Sequence, residues 1–242
     1  MSAVNEKSKE LEPFEHTRLN ELRDVLPKPL PLHAYNFDID GNQVKLKYFR
    51  DIELDLQGLD PNAWTFLKSE IIPLLVRKDS ERGWRDLFDR FNEAKGYNYL
   101  KRRLSCVDVT FIPRSPTRGQ KTPDIMGTLN GTKVLCDVKT VNISKVELGA
   151  RKNGSRTILT ELDVGFFKKL QSDLETAKEQ MDSYCPGESV KEIAYIVVNF
   201  DDILHEYRDK YLLQIDKFLS GSPVSGLEIV IDSKPAFYSA TP

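Results

Sequence analysis

Asn130-Gly131, set between Ile125-Met-Gly-Thr-Leu129 and Thr132-Lys-Val-Leu-Cys-Asp-Val-Lys139, constrains the fold of this chain more than any other feature. A type I′ turn needs φ > 0 at both central residues, and an Asn-Gly pair meets that demand. The pair therefore predicts a β-hairpin with a two-residue loop, in which Leu129 faces Thr132. Counting outward, Asp124 then lies opposite Asp137. Residues opposite each other across an antiparallel pair have Cβ atoms about 4.5–5.5 Å apart. Two carboxylates at that spacing repel, and a divalent cation is the natural compensation. Lys139 projects from the same face as Asp137, because side chains alternate along a strand. Ile125, Val134, Cys136 and Val138 point the other way, into a core. The hairpin is thus expected to be apolar on one face and to carry Asp, Asp and Lys on the other.

That set of residues suits metal-assisted hydrolysis of a phosphodiester. Mg²⁺ takes oxygen ligands, usually one or two carboxylates with waters and phosphate oxygens. Asp124 and Asp137 would supply the carboxylates and the Val138 backbone carbonyl a third oxygen; Mn²⁺ could replace Mg²⁺. Such an ion lowers the pKa of a bound water and offsets charge on the phosphoryl group. Lys139 would orient or help deprotonate that water, or stabilise the developing charge.

At Pro123-Asp124 and Asp137-Val138-Lys139 the sequence resembles the PD-(D/E)xK nuclease superfamily, in the variant with Asp before the x-Lys pair. The resemblance covers about residues 80–200 and not the first 60 or so. It implies an α/β fold with a restriction-endonuclease-like αβββαβ core, a mixed central sheet flanked by helices. It also implies a Mg²⁺-dependent nuclease. Family members often place a Glu on the helix before the first strand, near the metal. Glu81 is the best match here, with Asp86, Glu93 and Glu70 as rivals. Gln180-Met-Asp-Ser-Tyr184 looks like the Gln-x-x-x-Tyr pattern of the RecB-type branch. Gln180 and Tyr184 share a helix face and could both reach the site.

The remaining composition excludes several other classes. At 40% hydrophobic and 30% charged residues, the 242-residue chain reads as an ordinary globular protein rather than a disordered or fibrous one. No apolar run approaches the length of a transmembrane helix. Residues 1–12 are polar and unlike a signal peptide. Cys106, Cys136 and Cys185 lack metal spacing and are expected to be reduced thiols of a cytoplasmic protein. His16, His33 and His205 are dispersed, and no P-loop indicates a nucleotide cofactor.

A net charge of −2 hides an uneven distribution. Residues 95–156 hold 13 Lys and Arg against 4 Asp and Glu. Two of those four acids are the proposed metal ligands. Arg114, Arg118 and Lys121 precede the second strand of the motif, and Lys145, Arg151, Lys152 and Arg156 follow it. Basic loops on both sides of an acidic site are the footprint of phosphate-backbone binding. The loop from Ser144 to Arg156 is expected to be mobile and to close over nucleic acid.

Punctuation along the chain completes the framework. Residues 1–60 read as an N-terminal extension with a polar tail, the linker Pro27-Lys-Pro-Leu-Pro31, and a small hairpin from Tyr35 to Phe49 around Asp40-Gly41-Asn42. Residues 61–242 read as the catalytic domain. Asp60-Pro61 opens a helix by capping. A second helix starts near Ser80 and stops at Gly96. Strands are expected at Leu104–Ile112, in the Asp124 hairpin, at Ile193–Asn199 and at Leu227–Ile231. Helices are expected at Thr160–Tyr184 and Asp201–Leu219. The functional expectation is a DNA endonuclease, with a homodimer placing two sites on opposite strands. Its alternatives are a catalytically inactive nucleic-acid-binding or assembly module of the same fold, and a nuclease acting on RNA.

Overall fold

A computed structural model describes residues 15, 17–26, 43–76, 80–117, 119, 121–142, 161–200, 207–221 and 224–235, with backbone alone at 43–48, 80–84, 200, 234 and 235. Four helices come first: α1 (Thr17–Arg23), α2 (Gln43–Gln57), α3 (Pro61–Leu75) and α4 (Ser80–Asn98), the last extended by a π-helical turn (Tyr99–Arg103). Then follow β1 (Val107–Phe111), β2 (Ile125–Leu129), β3 (Thr132–Val141), α5 (Val164–Tyr184), β4 (Lys191–Phe200), α6 (Arg208–Leu219) and β5 (Leu227–Pro235). The five strands form one sheet in the order β1-β2-β3-β4-β5. β2 runs antiparallel to β1 and β3, and β3, β4 and β5 are parallel.

The hairpin has the expected turn and register. Asn130 and Gly131 adopt φ of 50° and 81°. Pairing runs from Leu129 with Thr132 to Ile125 with Cys136. One residue further out, the Asp124 N–H donates to the Cys136 carbonyl at 3.2 Å. Helix starts also follow local chemistry. The Asp60 carboxylate accepts from the N–H groups of Asn62 and Ala63, and Pro61 fills a first-turn position where no donor is needed. Asp163 caps α5 through the Phe166 N–H at 2.7 Å.

Both faces of the sheet are covered by helices. Even-numbered β3 residues Val134 and Cys136 join Ile193, Tyr195 and Val197 in a cluster with side chains of α1 to α4, among them Leu22, Phe49, Leu67 and Phe88. Odd-numbered Leu135 and Val141 join Ala194, Ile196 and Val198 under α5 and α6, against Leu174, Met181 and Tyr211. Asp137 and Lys139 belong to this second face, and so emerge from a core rather than from open solvent.

Two local expectations are corrected. The hairpin expected at Tyr35–Phe49 is replaced, from Gln43 on, by α2. The alternation ending at Phe49 is short. Phe49, Ile52, Glu53 and Leu56 repeat at helical spacing, and all four are buried. The rest of that segment, with the linker before it, lies outside the described residues. Gly96 does not stop α4. A Cβ placed there would sit 2.6 Å from Val138 Cγ2 and 3.0 Å from Ile125 Cδ1. The glycine lets the helix lie close to the hairpin.

Helices α1 and α2 share the buried cluster of α4, with Leu19, Leu22 and Leu56 fully buried. A fully buried carboxylate ties them together. Glu53 on α2 accepts from the Arg18 and Leu19 N–H groups, each at 2.8 Å, and from Thr17 Oγ1 at 3.0 Å. It therefore satisfies the orphan donors at the start of α1, as an N-cap would, from a distant part of the chain.

Candidate active site

The hairpin delivers its polar residues to the edge of a cleft of about 470 Å³ between α3, α4, the loop before β2, and α5. Asp124, Lys139, Gln180, Arg114 and Lys121 line it, together with Glu70, Arg90 and Glu93. Asp137 lies beneath this surface and is fully buried. Its Oδ2 is 2.5 Å from Lys139 Nζ, an ion contact without hydrogen-bond alignment. Asp124 leans across the strand pair, where its Oδ2 accepts from the Val138 N–H at 2.8 Å.

Gln180 joins the two halves of the site. Its Oε1 accepts from Lys139 Nζ at 2.9 Å. Its Nε2 donates to the Thr122 carbonyl at 2.9 Å and to Asp137 Oδ1 at 3.3 Å. One side chain from α5 thus holds the lysine, the buried aspartate and the backbone leading to Asp124. Tyr184, one turn further on, is 37% exposed and does not line the cleft.

The acid contributed by a helix is Glu93 among the described side chains. Glu93 is buried, is paired to Arg90 one turn earlier, and lines the cleft with it. Glu81 lies in the first turn of α4, with no described side chain. At 1.5 Å per residue it is about 18 Å along the axis from Glu93. Asp86 does not line the cleft, and Glu70 lines it while facing Arg114 Nε at 3.4 Å. Arg118 and the segment with Lys145, Arg151, Lys152 and Arg156 lie outside the described residues. Sequence reasoning passed over Arg90. It weighed Glu93 only as a rival of Glu81, the acid near the helix start. Read as a point of close approach, Gly96 fixes the face of α4 that meets β3. Asn92 on that face donates to Thr140 Oγ1 at 2.9 Å.

The electrostatics reflect acids crowded in a dry place. The Asp137 pKa is pushed up to about 7, by burial first and by the Asp124 carboxylate second, against the pull of Lys139. Burial, then Asp124, also raises the Glu93 carboxyl well above its ordinary value. Burial disfavours the Lys139 ammonium, but Asp137 and Asp124 outweigh it and raise its pKa.

A pH dependence follows for the metal-free protein. The Asp137 carboxyl rises from an ordinary 3.8 to about 7 on folding. Between those values the folded protein binds a proton that the unfolded chain has lost. Stability is therefore present at low pH and falls as pH rises through that window. In chelator, the melting temperature should drop as pH rises from about 4 to about 7, and Asp137→Asn should flatten the drop. Asp124, Lys139 and Gln180 are the groups that face Asp137. An unchanged slope in Asp137→Asn would put the proton on another group, Glu93 first.

The donor set fits a hard divalent cation. Asp137 is a buried carboxylate whose Oδ2 meets Lys139 Nζ, and it neighbours a second carboxylate. Both supply the oxygen ligands that Mg²⁺ favours. No group of three or more His, Cys, Asp and Glu side chains forms a ready-made cage among the described residues. Two carboxylates and backbone oxygens would have to suffice, as is usual for Mg²⁺ bound with substrate phosphate. Cys106, Cys136 and Cys185 are buried, unbonded and not part of the cleft.

In class, this is a mixed α/β protein whose five-stranded mixed sheet is flanked by helices. No helix among the described residues is long and apolar enough to cross a membrane. No protein-family model and no curated protein matches the chain. Among solved structures, the structure of Pyrococcus furiosus SfsA in complex with Ca²⁺ is similar at a TM-score of 0.24 and 14% identity, covering 63% of this chain. The match spans only 57% of that protein. A likeness so low lends no weight to a shared fold or chemistry.

Proposed function

We propose that this chain is a Mg²⁺-dependent nuclease that hydrolyses phosphodiester bonds in DNA, as an endonuclease. The observation that carries the reading is Asp124 beside a buried Asp137, with Lys139 held over Asp137 at the edge of a cleft that also holds Arg90, Arg114 and Lys121. A pair of adjoining acids destabilises a folded protein unless it binds something positive.

Asp124 and Asp137 would hold the ion, with the Val138 carbonyl as a further oxygen. The ion, when bound, lowers the pKa of a water molecule and offsets phosphoryl charge. Lys139 acts as a positioned ammonium, a donor aimed at an oxygen that gains charge in the transition state. Gln180 fixes that ammonium from one side and the Asp137 carboxylate from the other. Arg114 and Lys121 bind phosphates flanking the cut. Arg90 pairs with Glu93 and opposes the rise that burial and Asp124 impose on its carboxyl.

The test is incubation with supercoiled plasmid, linear duplex, single-stranded DNA and RNA, in Mg²⁺, in Mn²⁺ and in chelator. Metal-dependent nicking or linearisation of plasmid is expected, with a rise in melting temperature when the ion binds. A folded protein that retards these nucleic acids and cuts none of them would be a binding module instead.

A further inference from the structure

Phe66 on α3 lines two clefts at once. One is the candidate active site. The other, of about 630 Å³, lies between the start of α3, the end of α4 and strand β1, lined by Ala63, Tyr97, Val107, Val109 and Phe111. The two clefts differ in chemistry. The first presents four cations, Arg90, Arg114, Lys121 and Lys139, beside the acids Glu70, Glu93 and Asp124. The second has one cation, Lys101, with Asp60 and Asp108, and an apolar side made of Phe66, Tyr97, Val107, Val109 and Phe111. Of its two acids, Asp60 is already engaged, by the N–H groups of Asn62 and Ala63, by the Tyr97 hydroxyl at 2.6 Å and by Lys101 at 3.7 Å.

At the junction the aromatic rings are stacked. Phe66 lies on Phe111 at 5.7 Å with planes 13° apart, and Phe111 lies on Tyr97 at 5.3 Å and 27°. Lys101 stands 5.4 Å over the Tyr97 ring. Phe66 therefore ends a ladder of stacked rings where a cleft rich in charged groups of both signs meets a more apolar one. Val107, at the rim of the second cleft, is 60% exposed. A nucleotide strand has the matching division, with charged phosphates along one side and flat apolar bases along the other. A base pair conceals those faces within its stack. Unpaired bases expose them, and aromatic platforms bind them at about 1–3 kcal/mol per base.

We propose that the second cleft binds the unpaired bases of a single-stranded nucleic acid, stacked first on Phe66, while the backbone runs through the first cleft. This rests on the nuclease reading for its orientation, and it names the substrate as single-stranded or frayed at the cut. Asp108, which also lines the second cleft, turns phosphates away from it. The bases enter there and the backbone does not.

Binding is measured in chelator, so that no cleavage intervenes, with fluorescent oligodeoxyuridylate, oligouridylate and a blunt duplex. Phe66→Leu keeps an apolar side chain and removes the ring. It should weaken single-strand binding by about 5- to 150-fold, the range for one stacked base, and leave duplex binding unchanged. Phe66→Trp should restore it. Response of one oligonucleotide alone identifies the sugar that the cleft accepts and supports the proposal. Equal loss for single strand and duplex, or no loss, overturns it. If Phe66→Leu fails to fold, Val107→Glu on the exposed rim decides, by losing or keeping single-strand affinity. Wild type that cuts nothing but loses single-strand binding through Phe66 defeats the nuclease reading alone. Wild type that cuts DNA with Phe66→Leu binding unchanged defeats this inference alone.

Discussion

Asp137→Asn, Asp124→Asn and Lys139→Met are each expected to slow plasmid cleavage in Mg²⁺ by about 100-fold or more, while the protein stays folded. Removing one group that stabilises developing charge costs about that much where it has been measured. The stability readout separates chemistry from structure. In Asp137→Asn an uncharged amide replaces a buried carboxylate that faces another acid. Its metal-free melting temperature at pH 8 should rise, not fall, even as activity disappears. Gln180→Ala should sit between wild type and these variants. It frees Lys139 and Asp137 from a shared tether but removes neither. Undiminished cleavage in Asp137→Asn would take Asp137 out of the reaction.

Gly96→Ala is expected to destabilise the protein by about 1–3 kcal/mol, the usual range for overpacking. At an unhindered helical position the same change would stabilise by about 1 kcal/mol through helix propensity. The sign reverses here because the new methyl would lie 2.6 Å from Val138 Cγ2 and 3.0 Å from Ile125 Cδ1. Val138 is flanked by Asp137 and Lys139, so a displaced strand also moves the reacting groups. Cleavage should fall with stability. Val138→Ala in the same chain should restore much of both, which a double-mutant cycle measures as coupling. Additive effects would mean that α4 does not bear on the hairpin through this contact.

The parts of the fold that the sequence made readable are those governed by neighbours in the chain. Asn130-Gly131 set the turn and, through it, the register that brings Asp124 toward Asp137. Asp60-Pro61 marked the start of α3 for an equally local reason. The parts that stayed hidden depend on contacts between distant segments. Val44 to Phe49 can be read as alternating, and only burial of Phe49, Ile52 and Leu56 against α1 and α4 makes helix the lower state. Gly96 carries two meanings, helix end or close approach, and the neighbour that decides between them is Val138. The cover that α5 lays over Leu135 and the Asp137 face had no signal in the hairpin itself. Gln180 was readable as a motif residue, but its three partners come from two other segments.

Strand β1 closes one side of the sheet, and its irregularity bears on how copies of this chain can meet. Register slips between Val107 and Thr110, and Asp108 adopts φ of 52° there. An exposed strand edge with regular spacing is a template on which another strand can grow, the usual route to aggregation. A bulge twists that row of donors and acceptors out of line, and a carboxylate at the kink adds repulsion between identical edges. The bulge therefore acts as a guard. It leaves β1 free to border a binding cleft without inviting a second sheet to zip onto it.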